Sequence, residues 1–196
     1  IPTEIFSKTF LDTFVFIGGC GTALSFVLAL YIASKQSHNR KMSFVALPSA
    51  LFNISEIAVF GFPIIFNLTM LIPFILTPVI LTLISASAIK AGLVPAVTQS
   101  VEWTIPVLLS GYQATGSVSG SLLQLFNLLV GVFIYMPFVR RSEKQETGKF
   151  KQAVRQMEQD MAAGERDGVI PAYLSHKYPY YYYAKTLSMD LTNAMK

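Results

Sequence analysis

The chain has 196 residues, of which 53% are hydrophobic and only 13% charged, against about 25% charged in an average soluble domain. Together with a positive mean hydropathy, this excludes an ordinary soluble globule and points to a membrane protein. The net charge of +4 is no footprint of nucleic-acid binding, so no such partner is expected, and the single cysteine, Cys20, excludes an internal disulfide and any cysteine-based metal cluster.

The chain opens "IPTEIFSKTF", without an initiator Met or a basic n-region leading into a short apolar core. That is no signal peptide, and a segment that begins partway through a larger membrane protein is expected. Thr13 to Ser34 carries no charge and is long enough to cross, since about 20 apolar residues span the hydrocarbon core. Within it lies "GGCG", Gly18 to Gly21. Small residues let helices approach closely in lipid, so the motif reads as a packing face or a local bend, with a wall of a substrate pathway as the alternative. Cys20 is expected deep in this span, out of reach as a phosphoryl-accepting thiolate. Lys35, His38, Arg40 and Lys41 follow as a short basic loop, cytoplasmic by the positive-inside bias. His38 has no partner spacing that would make it a ligand.

Met42 to Asn67 holds one charge, Glu56, and the uncharged part before it is too short to span. Pro48, Gly61 and Pro63 punctuate it. A proline removes a backbone donor and clashes with the preceding turn. Broken backbone at membrane depth persists only where protein buries it or where it lines a wet cavity. The segment therefore reads as two half-helices meeting at a tip near Asn53 to Glu56, a re-entrant hairpin. Leu68 to Ile89 forms a second span, kinked at Pro73 and Pro78 and closed by Lys90. The stretch after it, rich in Pro, Gly and polar residues up to Gly120, reads as a loop plus a short broken helix. Ser121 to Val139 forms a third span, ended by Arg140 and Arg141. With the hairpin returning to the side it leaves, both basic clusters fall on one face, as the bias requires.

Residues 140–196 hold ten of the fifteen Lys and Arg and seven of the eleven Asp and Glu. Phe150, Val154, Met157 and Met161 recur there at helical spacing, an amphipathic helix ended by Gly164 and Gly168, with Pro171 beyond. "YPYYYY", Tyr178 to Tyr183, reads as rings packed on the tail or at the membrane interface, or as a binding cluster. A further amphipathic helix begins through Leu187, Leu191 and Ala194.

An ionisable residue inside a membrane is costly, faces protein or water, and is a functional site by default. Glu56 is that residue. Asn53 lies three positions earlier, so on one helical turn the two share a face. An amide with a carboxylate can grip several hydroxyls at once, which suits a polyol such as a sugar. The alternative is a structural ion pair of Glu56 with Lys90 or Lys35. Trp103, the only tryptophan, is either an interface anchor or a platform for the apolar face of a sugar ring. There is no Ser-His-Asp arrangement, Gly-rich phosphate loop or HExxH, so no catalytic residue, metal or cofactor is expected.

"LDTFVFIGGCGTALSFVLAL", "PSALFNISEIAVFGFPIIFNLTMLIPFILTPVI", "GLVPAVTQSVEWTIPVLLSGYQATGS" and "LLQLFNLLVGVFIYMPF" occur in this order. In order and spacing they resemble the C-terminal half of the membrane IIC components of the lactose/cellobiose/diacetylchitobiose phosphotransferase systems, over about residues 5–140. The resemblance implies an all-α integral membrane fold of three transmembrane helices plus a re-entrant helical hairpin, with a cytoplasmic helical tail. It implies a disaccharide substrate, IIB and IIA partners on the phospho-donor side, a homodimer in the full-length parent, and a place in the bacterial inner membrane. It also implies that Glu56 binds the sugar, with Asn53 and Trp103 beside it. Two positions depart from the family pattern. Ile57 stands where proline is usual, and Ser55 stands where a second asparagine is common. Residues 1–141 are then a IIC-like domain and 142–196 a linker helix leading into an appended domain. "YYYYAKTLSMDLTNAMK" resembles the helix that leads into EAL-type cyclic-di-GMP phosphodiesterases, which implies as an alternative a IIC-like sensor that binds sugar without transporting it.

Overall fold

A computed structural model describes residues 6–62, 64 and 67–166 of the chain. Pro63, Gly168, Pro171, the Tyr178–Tyr183 cluster and the EAL-like segment lie outside the described residues, as do the side chains of Met157 and Met161. The described residues are helical and contain no strand. The chain divides into two compact units, Ile1–Lys144 and Gln145–Lys196.

The first unit opens with a short α1 (Lys8–Phe10), capped by the Ser7 hydroxyl, which accepts from the Phe10 N–H at 3.1 Å. A π-helical turn, Leu11–Val15, follows directly. The chain then leaves helical geometry until α2 (Ala23–Ala33). The expected first span, Thr13–Ser34, is therefore not one helix. Gly18, Gly19, Gly21 and Thr22 all take positive φ, a conformation L-residues with a Cβ seldom adopt. At Gly21 a Cβ would stand 2.2 Å from the Phe74 ring, and at Gly19 2.7 Å from the Asn53 carbonyl. "GGCG" is thus a sharp bend through which the hairpin and the next long helix reach the backbone itself.

Next comes α3 (Ser37–Leu51), with Pro48 inside it. His38, Arg40 and Lys41 lie in its first turns, which corrects the expected basic loop. The helix ends in a Schellman motif. Asn53 sits in the left-handed region at φ 61°, its N–H donates to the Ala50 carbonyl at 3.1 Å, and the Ile54 N–H donates to Ser49 at 3.0 Å. Asparagine is one of the few residues besides glycine that visits this region readily. After the turn, α4 (Glu56–Gly61) begins at Glu56 and runs back. Asn53 and Glu56 thus flank a turn and do not share a helical turn.

The long α5 (Leu68–Lys90) starts on an Asn67 cap and contains Pro73 and Pro78. A loop leads to α6 (Leu109–Thr115) and then to α7 (Val118–Arg166). Arg140 and Arg141 do not end α7, and neither does Gly164: positive charge marks where a helix leaves hydrocarbon, not where its hydrogen bonding stops. Among the described residues two helices, α5 and the Val118–Gln156 part of α7, are long and apolar enough to cross a bilayer.

The main core joins α2, α3, α4 and α7 through residues such as Phe26, Ala46, Ala58 and Val132. A second core packs Phe10 and Phe14 against Ala86 and Leu123. Close approach of α2 and α7 depends on Gly131, whose Cβ would stand 2.4 Å from the Ser25 hydroxyl, the small-residue packing usual between helices in lipid.

One end of this unit is tied together by residues 142 and 143. The buried Glu143 carboxylate accepts from the Ser34 hydroxyl at the end of α2, from the Lys35 N–H at 3.0 Å, and from the Asn39 amide at 2.9 Å. The Asn67 amide, at the start of α5, donates to the Ser142 hydroxyl at 2.6 Å. The start of α3 and the start of α5 thus both reach adjacent residues of α7, just beyond Arg140 and Arg141.

Candidate functional site

Breaking a helix in an apolar surrounding frees backbone groups that must find partners within the protein. Here one face of α7 supplies them. The Gln124 amide donates to the Thr13 carbonyl at 2.7 Å and to the Ser110 hydroxyl at 2.8 Å. Its oxygen accepts from the Leu108 and Gly111 N–H groups, each at 2.9 Å. Asn127 donates to the Phe14 carbonyl at 2.8 Å and to Ser85 at 2.7 Å. The Tyr135 hydroxyl donates to the Gly21 carbonyl at 2.5 Å. All three side chains are buried. Sequence reading passed over them. The available signal was three hydrogen-bonding side chains on an otherwise oily span, the first two one turn apart.

The hairpin tip satisfies the other side of the bend. The Gly18 N–H donates to the Asn53 side-chain oxygen at 2.7 Å, and the Cys20 N–H to the Ser55 hydroxyl at 3.3 Å. Ser55 thus has a definite task as an acceptor. The Asn53 amide nitrogen donates to the Trp103 carbonyl at 2.6 Å and to the Ile105 carbonyl at 3.3 Å. The Val107 N–H adds a bond to the Leu51 carbonyl at 3.3 Å. One side chain, Asn53, ties three segments together: the bend, the tip and the Trp103 loop.

Of the three residues singled out in the sequence, Asn53 has its amide committed to backbone on both sides. Glu56, three residues along the same tip, is exposed, and its carboxylate has no hydrogen bond or ion pair among the described residues. The ion pair with Lys90 or Lys35 is absent among the described residues, where Lys8–Asp12 is the ion pair found. Trp103 is half-exposed on the loop that Asn53 holds. Cys20 is exposed on the bend beside Ser55, not deep in a span. Its position follows from the break, which turns residues 16–22 out of the helix. No group of acidic, histidine or cysteine side chains among the described residues could hold a metal ion.

The phosphotransferase-system EIIC family model matches residues 2–78, which includes the bend, the hairpin and the start of α5. The chain is homologous to part of an EIIC protein. Its relatives include the oligo-beta-mannoside-specific EIIC component of Bacillus subtilis (strain 168), 36% identical over 169 residues, which are 85% of this chain and 38% of that protein. The lichenan permease IIC component of the same organism is 38% identical over 146 residues, 73% of this chain and 32% of that one. Among solved structures, the ChbC transporter, the IIC component of the N,N'-diacetylchitobiose-specific phosphotransferase system, superposes with a TM-score of 0.70 at 35% identity. That match covers 74% of this chain and 34% of ChbC. The chain thus spans about a third of the length of these EIIC relatives. EIIC permeases are integral membrane proteins, and among the described residues this chain has two helices long and apolar enough to cross a bilayer.

Proposed function

We propose that this chain is the sugar-contacting part of a phosphotransferase-system IIC permease of the disaccharide class, whose substrate is cellobiose-, lactose- or chitobiose-like. Glu56 is its principal ligand. The observation that carries this is the Asn53 side chain, which fastens the tip bearing Glu56 to the loop bearing Trp103. A carboxylate with all its acceptor sites free accepts from two or more sugar hydroxyls, and an indole face packs on the ring's apolar side. Asn53 acts here by positioning both, since its own amide is already spent.

The α3–α4 hairpin is re-entrant in this reading, supported by both of its ends being tied to adjacent residues of α7. The α2–α3 junction and Arg140–Arg141 face the cytoplasm of a bacterial inner membrane, and the tail follows into it. The segment from the π-turn to α2 makes the third crossing as a broken helix. The sugar is phosphorylated by a IIB partner fed by IIA, and the full-length permease is a homodimer.

The test is Glu56→Gln in the full protein, with cellobiose and diacetylchitobiose titrated calorimetrically. Hydrogen bonds to a charged group contribute about 1.5–3 kcal/mol, so affinity should fall roughly tenfold to a hundredfold. Unchanged affinity for both sugars would leave Glu56 without this role.

A further inference from the structure

The clamp at Glu143 has a second result. It gathers Lys35, Arg40, Lys41, Arg140, Arg141 and Lys144, all exposed, at one end of the first unit. The one acid within these stretches, Glu143, is buried and spends its carboxylate on Ser34, the Lys35 N–H and Asn39. We propose that this end is a binding site for the phosphate headgroups of anionic phospholipids, built from the α2–α3 junction and the adjoining turns of α7.

Clustered Lys and Arg next to a membrane span attract anionic lipid, but charge alone would suit an acidic protein surface as well. Two further features favour lipid. The Arg40 guanidinium lies 5.5 Å over the ring of Tyr31, and tyrosine rings are enriched at headgroup depth. One turn beyond Arg40 and Lys41, Phe44 and Val45 are exposed to 66% and 60%, and Ile32 on α2 to 60%. A basic rim directly bordered by outward apolar side chains matches a molecule with an anionic head and an acyl chain. A soluble acidic protein would leave those apolar groups uncovered. On the distal end of α5, about 34 Å away at 1.5 Å per residue, the cations are fewer: Lys90, and Lys8 of the adjoining α1, which is paired with Asp12.

The site rests on the orientation proposed above, in which this end meets the inner leaflet. The test is retention of lipid by the full protein extracted from vesicles of nine parts phosphatidylcholine to one part phosphatidylglycerol, read by native mass spectrometry. The ratio of phosphatidylglycerol to phosphatidylcholine retained should be about tenfold that in the vesicle, since two or three partly screened cations each add a severalfold preference. Arg140→Gln with Arg141→Gln should lower that enrichment, and adding Lys35→Gln, Arg40→Gln and Lys41→Gln should abolish it. Arg140→Lys with Arg141→Lys should preserve it, and so should Lys90→Gln. Equal retention of the two lipids by the unmodified protein would overturn the proposal. So would enrichment that survives the double Gln variant, or a double Gln variant that loses only the binding of the IIB protein, which would make this a protein-docking face. Cellobiose affinity measured on the same preparations separates failure of this site from failure of the sugar site.

Discussion

Replacing Asn53 separates positioning from contact. Asn53→Ala removes two short hydrogen bonds, 2.7 Å from Gly18 and 2.6 Å to Trp103, each contributing about 1 kcal/mol net. It also puts a residue with no local side-chain hydrogen bond at φ 61°, at a further cost of about 1–2 kcal/mol. The sum, about 3 kcal/mol, corresponds to roughly a 100-fold shift in the docking of the tip. Asn53→Gly loses the bonds but keeps the backbone, so its cost should be nearer 2 kcal/mol, about 30-fold. Asn53→Asp keeps an acceptor for Gly18 and loses the donor to Trp103, so it should fall between Gly and the native residue. The assay is cellobiose affinity by calorimetry in a double-mutant cycle with Trp103→Phe. A residue that works by holding the Trp103 loop should cost less once the indole is gone, giving a coupling of about 1 kcal/mol or more. Additive losses in that cycle, or native affinity in both Asn53→Ala and Asn53→Gly, would refute the positioning role.

Gln124→Leu strands the Thr13 carbonyl and the Leu108 and Gly111 N–H groups, at about 1–3 kcal/mol for each buried group. Denaturant unfolding in detergent should show a loss of at least about 3 kcal/mol. Gly21→Ala drives a methyl into the Phe74 ring and should lower the melting temperature. Adding Phe74→Leu should recover the steric part and leave about 1 kcal/mol of backbone cost. Cys20 is exposed on the bend and should react with a hydrophilic maleimide in the folded protein, more slowly with cellobiose bound at the neighbouring tip. Labelling that requires denaturant would contradict the described bend.

Much of the architecture was readable from punctuation. The end of α5 at Lys90 was marked by a terminal cation, and Pro73 and Pro78 lie inside that helix. The turn at Asn53 falls where a break was expected, but Pro48, one of the signals for that break, sits inside α3. A local bend at "GGCG" was among the readings the glycines allowed, but its extent was not legible, because absence of charge over 22 residues cannot distinguish a straight crossing from a folded one. What decides it is pairing with residues more than a hundred positions away, Gln124 and Asn127, whose meaning is visible only in three dimensions. The same holds for Asn53. An amide at a membrane tip can meet a sugar or a backbone, and only the Gly18 and Trp103 distances choose between them. The run of α7 through Arg140 and Arg141 was missed because charge reports the solvent beside a helix and not the helix's continuity.

The bend between the π-turn and α2 also bears on how the protein is made. The Thr13 and Phe14 carbonyls, in the π-turn that leads into it, lie 111 and 113 residues ahead of the amides that donate to them. At about 5–20 residues per second, the ribosome delivers those amides some 5–20 seconds after the bend has been synthesised. During that interval the segment has no donors of its own for hydrocarbon. Its burial in hydrocarbon is therefore completed only by the arrival of α7.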